Sequence, residues 1–357
     1  MSLAIELRER IRREGPLTVE RFMAEALGHP RFGYYATRDP LGRKGDFTTA
    51  PEISQIFGEL IGLWCAVVWE TMGSPDPVQW VELGPGRGTL MADALRAAGK
   101  TSGFTAAARL HLVERSPVLQ AKQKQALAAH TPIWHDDVAH VPEGPVILVA
   151  NEFFDALPIR QLERTGAGWC ERLIDSSEEG AFRFAVSPPL DALDVIPAHL
   201  RDAPTGAIVE VCPEAHRVVH GLASRLAKGG GAALIVDYGH AESAAGETLQ
   251  AVKDHAFANV LETPGEADLT AHVDFGALRD VARCAGACTL GPVTQGAFLE
   301  RLGLAARADA LLANATPVQA RDIRAARARL VDPRGMGVVF KAFAIGHPVL
   351  TTLPGFS

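Results

Sequence analysis

The stretch Trp80-Val81-Glu82-Leu83-Gly84-Pro85-Gly86-Arg87-Gly88-Thr89-Leu90 restricts the possible folds of this chain more than any other. An apolar run from Val78 to Leu83 ends at a turn with glycine at every second position, and helix-forming residues follow at once, from Leu90 to Ala98. That order reads as strand, tight turn and helix, the unit from which parallel α/β sheets are built. Glycines at 84, 86 and 88 remove the Cβ atoms that would hold a ligand off the backbone. The helix start adds unpaired N–H groups and the positive end of its dipole. The corner predicts a site for a nucleotide-like ligand.

The spacing narrows the ligand. Dinucleotide sites carry G-x-G-x-x-G; here the pattern is G-x-G-x-G, with Glu82 two residues before the first glycine. A carboxylate at that point opposes a pyrophosphate, which argues against a dehydrogenase, and suits a ligand carrying an ammonium and a sulfonium. The stretch resembles motif I of the class I S-adenosylmethionine (SAM) methyltransferases. The resemblance implies SAM as cofactor and Glu82, Gly84, Pro85, Gly86 and Gly88 as residues that bind it.

Other strand ends carry polar residues toward the same edge, where ligands of open α/β sheets bind. Arg109 to Val113 reads as the second strand and ends at Glu114, an acid placed to accept the ribose hydroxyls. Ile133-Trp134 reads as a short third strand, after which Asp136 or Asp137 is placed to accept the adenine amino group. Pro145 to Ala150 is almost purely apolar, the mark of a strand buried on both faces. It runs into Asn151-Glu152-Phe153-Phe154-Asp155, so Asn151, Glu152 and Asp155 are expected over the pocket in a catalytic or substrate-binding role. Ala232 to Asp237 is a further buried strand, and Asp237 stands at its ligand edge.

Elsewhere the pattern predicts helices at 3–13, at 19–27 behind a Thr18 cap, at 52–72 and at 213–228. Gly28 to Pro51 is turn-rich and carries two of the three tyrosines; it is expected to be a lid or substrate loop. Residues 159–187 alternate between apolar and polar and predict a small antiparallel insertion. Gly246 to Thr270 reads as irregular. Asp274 is expected to cap a helix to about Ala285, 287–292 reads as a strand and 295–331 as helical, with Arg321, Arg324 and Arg327 on a solvated face. Gly337 to Gly346 suits the antiparallel edge strand of a methyltransferase sheet. A net charge of −7 argues against a nucleic-acid partner. Five scattered cysteines with no C-x-x-C predict buried thiols in a reducing compartment and no metal set. No apolar run is long enough for a membrane span. The first residues lack a signal or transit pattern, which favours a bacterial cytoplasmic protein.

Four stretches carry a more specific likeness: Gly45-Asp46-Phe47-Thr48-Thr49-Ala50-Pro51-Glu52-Ile53-Ser54-Gln55, Val81 to Gly88, Asn151 to Pro158 and Asp237-Tyr238-Gly239. They resemble the MidA family, which includes a mitochondrial methyltransferase needed for assembly of respiratory complex I. The resemblance implies an α/β class I SAM-methyltransferase fold, with a mostly parallel sheet and an antiparallel edge strand. It further implies a protein arginine methyltransferase that makes symmetric dimethylarginine on a complex I subunit or a bacterial counterpart. On that reading residues 1–60 hold N-terminal helices and the substrate loop. Residues 61–346 form the SAM-binding core, with a β insertion at about 159–205 and a helical one at about 295–331, and 347–357 form a tail. Glu152 and Asp155 are then expected to orient the guanidinium, supported by Asp46 and Asp237. A small-molecule methyltransferase, or a SAM-binding assembly factor without catalysis, keeps the same cofactor residues.

Overall fold

The computed structural model describes residues 2–38, 42 and 48–356. Asp46, expected in support of catalysis, and most of the turn-rich stretch before Thr48 lie outside them.

The framework is a mixed sheet built from β1 (Val78–Leu83), β2 (Ala108–Val113), β3 (Ile133–His135), β4 (Val146–Asn151), β5 (Gly231–His240), β6 (Cys288–Thr294) and β7 (Phe340–Gly346). Among the described residues the order is β6-β7-β5-β4-β1-β2-β3, with the two-residue strand Val273–Asp274 alongside the end of β5. β5, β4, β1, β2 and β3 are parallel, while β7 runs antiparallel to both β5 and β6. The last strand of the chain therefore lies one place in from the edge, and the expected strand near 287–292 takes the edge itself.

Alternation along the strands explains the layers. Trp80, Ile147 and Leu234 point to one face; Val81, Leu148 and Ile235 point to the other. Because both faces are covered, the strands read as continuous apolar runs. The first face packs against the helices Gln55–Thr71 and Thr89–Ala98, the second against Pro213–Gly229 and Phe275–Cys284. A Cβ on Gly62 would stand 2.3 Å from the Ala94 carbonyl oxygen, so the helix that follows the glycine turn is held by direct backbone contact with its neighbour.

Several expectations are refined. The 52–72 helix is broken at Ser54, whose side chain caps a separate helix Gln55–Thr71 by accepting the Ile56 N–H. The antiparallel strands Arg160–Thr165, Gly168–Ser176 and Phe182–Pro189 join Ile208–Val211 and, from the N-terminus, Leu17–Thr18. The stretch read as irregular at 246–270 contains a hairpin, Gln250–Lys253 with Ala256–Ala258, and a third strand, Asp268–Thr270. Its turn residues Asp254 and His255 both have positive φ, 51° and 61°, as a two-residue hairpin turn requires. Without glycine or asparagine there, the sequence gives no signal for it. Asp274 caps its helix by accepting the Ala277 N–H. Residues 295–331 form three helices, Gln295–Arg301, Leu304–Leu312 and Pro317–Val331. Arg321 and Arg324 are exposed, and Arg327 pairs with Glu300 at 3.0 Å.

Candidate active site

A cavity of about 280 Å³ opens at the carboxyl ends of β1, β2, β3 and β4. Gly84, Gly86 and Gly88 have φ of 58°, 54° and 82°, a region that L side chains avoid. A Cβ on Gly84 would also lie 2.8 Å from the Phe153 ring. The glycines are thus demanded by the turn and by the neighbouring Asn151–Pro158 stretch, before any ligand is considered. Gly84, Pro85 and Gly86 line the cavity; Gly88 stands outside its lining, at the N-cap of the helix Thr89–Ala98.

Glu82, Glu114, Asp136, Asp137 and Asn151 all face the same cavity. Glu82 is 3% exposed, and its Oε2 has no partner among the described residues. Burial, with the charge of Glu114 added, pushes its carboxyl up to about 8. Glu114 accepts the Ser116 N–H at 2.8 Å and the Gln123 amide at 3.1 Å; burial raises its pKa as well. Of the two candidates after β3, Asp137 is engaged: it accepts the Ala139 N–H at 2.9 Å and pairs with Arg217 at 3.0 Å. Asp136 is exposed, and its backbone carbonyl accepts a hydrogen bond from Arg115.

The acids just after β4 and within β5 separate into two groups. Glu152 lines the cavity and has φ of 50°. Its Oε1 accepts the Ala50 N–H at 2.8 Å and the Asn151 amide at 3.1 Å. Burial, reinforced by the charge of Asp155, pushes this carboxyl up to about 7 against those donors. Asp155 and Asp237 do not line the cavity. Asp155 lies behind the turn, its carboxyl raised by burial to about 6 and hydrogen-bonded by the Tyr238 hydroxyl. Asp237 is fully buried. One of its oxygens accepts the N–H groups of Phe153, Phe154 and Asp155, and the other that of Tyr238. Burial and the charges of Asp155 and Glu152 raise Asp237, and the N–H groups of Tyr238 and Asp155 oppose the shift.

The sequence reading missed three residues. Gln123, fully buried, donates to the Gly86 carbonyl at 2.8 Å and to Glu114, and accepts the Trp134 indole N–H at 2.8 Å. Glu52 lines the cavity and takes the Thr89 hydroxyl, with Arg87 at 3.7 Å; it stood inside a quoted stretch without a role. Tyr35 lines the cavity from the short helix Tyr34–Thr37.

A mostly parallel sheet, a glycine turn after its central strand and acids at the ends of the next strands define a class I SAM-methyltransferase fold. Residues 60–293 match the family described as "Putative S-adenosyl-L-methionine-dependent methyltransferase", and the chain belongs to that family. It is 42% identical over 371 residues to "Protein arginine methyltransferase NDUFAF7, mitochondrial" of Danio rerio, covering 96% of this chain and 86% of the relative. The Homo sapiens protein of the same name is 37% identical over 363 residues, covering 94% and 81%. A crystal structure of a Burkholderia thailandensis protein bound to S-adenosyl-homocysteine is 29% identical, with a TM-score of 0.85 over 99% of this chain and 94% of that one. These matches bear out the family resemblance read from the sequence.

The cavity fits S-adenosyl-L-methionine on its own chemistry. Two buried acceptor atoms on its lining residues, Glu82 Oε2 and Asn151 Oδ1, have no partner among the described residues, and buried polar groups without partners are costly. An ammonium group supplies the missing donors. No helix among the described residues is long and apolar enough to cross a membrane.

Proposed function

We propose that this protein transfers the methyl group of S-adenosyl-L-methionine to an arginine side chain of a protein, with Glu152 as the residue that holds the guanidinium. One observation carries this reading: Glu152, a half-buried carboxyl on the cavity wall, has two further carboxyls, Asp155 and Asp237, close behind it. Each of these carboxyls raises the pKa of its neighbours, and a cationic side chain stabilises their ionised form; the arginine methyltransferase names of the relatives agree with that chemistry.

The bound donor supplies an electrophilic methyl on its sulfonium. The work of the chain's own residues is to bind, orient and exclude water. Glu82 and Glu114 hold the donor's ammonium and ribose hydroxyls, the loop after β3 faces the adenine, and the glycine turn lets the backbone approach. Ionised Glu152, fixed by Ala50 and Asn151, accepts guanidinium N–H groups and concentrates the positive charge on the nitrogens it touches. As the new N–C bond forms and the S–C bond breaks, a proton leaves the guanidinium, and Glu152 is placed to take it. Asp237 acts through the backbone of the turn. Asp155 stands behind Glu152 and sets the field it feels.

The target is proposed to be a complex I subunit or its bacterial counterpart, modified to symmetric dimethylarginine. The setting is a reducing one, bacterial cytoplasm or mitochondrial matrix, in keeping with five unpaired cysteines. Glu152→Gln is expected to abolish transfer of labelled methyl to protein while leaving donor affinity, read by calorimetry, within a few fold. Gly86→Val is expected to remove donor binding. Mass spectrometry of cells lacking the protein should show loss of a dimethylarginine; an unchanged arginine-methylation profile, with Glu152→Gln fully active, ends the proposal.

A further inference from the structure

Tyr35 lines the cavity but has no part in the chemistry described above. Its position is fixed from several directions. The neighbouring Tyr34 is fully buried, and the two rings meet edge to face at 5.1 Å. The Tyr35 hydroxyl donates to Asp268 Oδ1 at 2.8 Å. Asp268 is 5% exposed and begins the strand Asp268–Thr270. That strand is tied to the catalytic turn, because the Ala271 N–H just beyond it donates to the Asp155 carbonyl at 3.0 Å. Tyr35 is thus linked through Asp268 and Ala271 to the turn that carries Glu152, and both side chains line the one cavity although 117 residues separate them in sequence.

The direction of the hydrogen bond matters more than its presence. A phenol has one proton and two lone pairs. With the proton committed to a carboxylate, the Tyr35 oxygen offers a ligand lone pairs alone. Glu152 on the same cavity presents the same kind of group. Ionised Glu152 only accepts. A guanidinium has five N–H donors and no acceptor. A ureido or carboxamide side chain of the same shape turns a carbonyl toward the Tyr35 oxygen and ionised Glu152, and an acceptor that faces acceptors in such a site is strongly disfavoured.

We propose that Tyr35, its proton held by Asp268, contacts the substrate side chain and makes this end of the cavity selective for cationic groups that only donate hydrogen bonds. Tyr35 is then a substrate-contacting residue and Asp268 a positioning residue. The inference rests on the arginine reading of the site, and it goes further in stating which wall of the cavity reads the guanidinium.

The test uses the full chain saturated with S-adenosyl-homocysteine, titrated with N-acetyl-arginine methylamide and, separately, with its ureido isostere N-acetyl-citrulline methylamide, binding being followed by saturation-transfer NMR. The arginine probe is expected to bind the wild type and the citrulline probe to bind at least about tenfold more weakly, the loss typical of one unmatched polar group. Tyr35→Phe, which keeps the ring and removes the oxygen, is expected to weaken the arginine probe by about tenfold, the size of one hydrogen bond to a charged group. Its affinity for S-adenosyl-homocysteine, read by calorimetry, should stay within about twofold of wild type, showing that fold and donor site persist. Asp268→Leu, close in shape and without an acceptor, frees the phenol proton to turn toward the cavity and should narrow the preference for arginine over citrulline. If the wild type does not bind the arginine probe, the arginine reading fails and this inference falls with it. If the wild type binds and Tyr35→Phe binds equally well, the arginine reading stands and this inference alone is overturned. An unchanged preference in Asp268→Leu overturns the orienting role of Asp268.

Discussion

The carboxylate of Asp237 accepts the backbone N–H of Phe154 at 2.9 Å, and the same oxygen takes the N–H groups of Phe153 and Asp155 at 3.1 and 3.3 Å. This convergence is possible because Glu152, at φ of 50°, swings the chain round so that three successive amides point back at the end of β5. Asp237 thereby fixes the residue that faces the cavity without facing it itself. Asp237→Asn keeps the shape but puts an NH2 donor where one of the two accepting oxygens stood, against backbone N–H. We expect a loss of about 1–3 kcal/mol in unfolding free energy, the scale of a buried donor left unpaired, and a larger proportional loss of methyl transfer than of donor binding. Denaturant unfolding and a labelled-methyl assay check both; an unchanged unfolding midpoint would show that the amides are held by something else.

Gln123 couples the glycine turn to the acid after β2, since one amide nitrogen reaches both the Gly86 carbonyl and Glu114. Gln123→Met preserves volume and removes all three hydrogen bonds, leaving buried acceptors unpaired at about 1–3 kcal/mol each. The expected result is donor affinity reduced by about tenfold or more, with little change in the KM for protein substrate. Calorimetry with S-adenosyl-homocysteine measures it, and an affinity equal to wild type would remove Gln123 from the donor site.

Much of this architecture was legible because strand ends and turn residues are local signals. The glycines at 84–88, the apolar runs ending at Leu83, Val113 and Asn151, and the acids just beyond them specify a sheet edge and what stands on it. What the sequence could not supply was direction. Glu152, Asp155 and Asp237 all lie near that edge, but only the left-handed backbone at Glu152 decides that it faces the cavity while Asp155 and Asp237 turn inward. Pairings between distant segments were equally invisible: Tyr35 meets Asp268 across 233 residues, and the spacing of Gln123 from Leu119 and Leu127 puts it on the buried face of its helix without naming the Gly86, Glu114 and Trp134 groups it meets there.

Glu82 is the acid whose protonation should report donor binding. Burial first, and then the charge of Glu114, hold it up to about 8 in the free protein, so near neutral pH it is largely protonated. An ammonium group placed beside it favours the carboxylate and lowers that value. Binding of S-adenosyl-homocysteine near pH 7 is therefore expected to release protons, seen as a binding enthalpy that varies with the ionisation enthalpy of the buffer. The release should fade above about pH 9, where the carboxyl is already ionised, and disappear in Glu82→Gln. Buffer-independent enthalpy in the wild type would place the ammonium elsewhere.

Glu152 should set the acid limb of the reaction. The ionised form is the one that holds a guanidinium, and burial, aided by the Asp155 charge, pushes its carboxyl up to about 7. The charged groups around it are Asp155 and Asp237 at the sheet edge and, from the helix Pro317–Val331, Arg329, whose positive charge lowers it. Arg329 is held over this end of the site by a hydrogen bond to the Thr48 carbonyl at 3.4 Å, two residues from the Ala50 N–H that Glu152 accepts. For a single group, kcat/KM should rise about tenfold per pH unit below about 7 and level off above it. The same raised pKa makes the folded protein hold a proton that the unfolded chain has lost between about 4.5 and 7, so this residue's contribution to stability declines as pH climbs through that window. Arg329→Ala removes a cation and should move the acid limb of kcat/KM to higher pH. The kcat limb should move less, because a bound guanidinium then supplies the positive charge itself. A kcat/KM profile flat across this range, or one that Arg329→Ala leaves in place, would count against Glu152 as the ionising group.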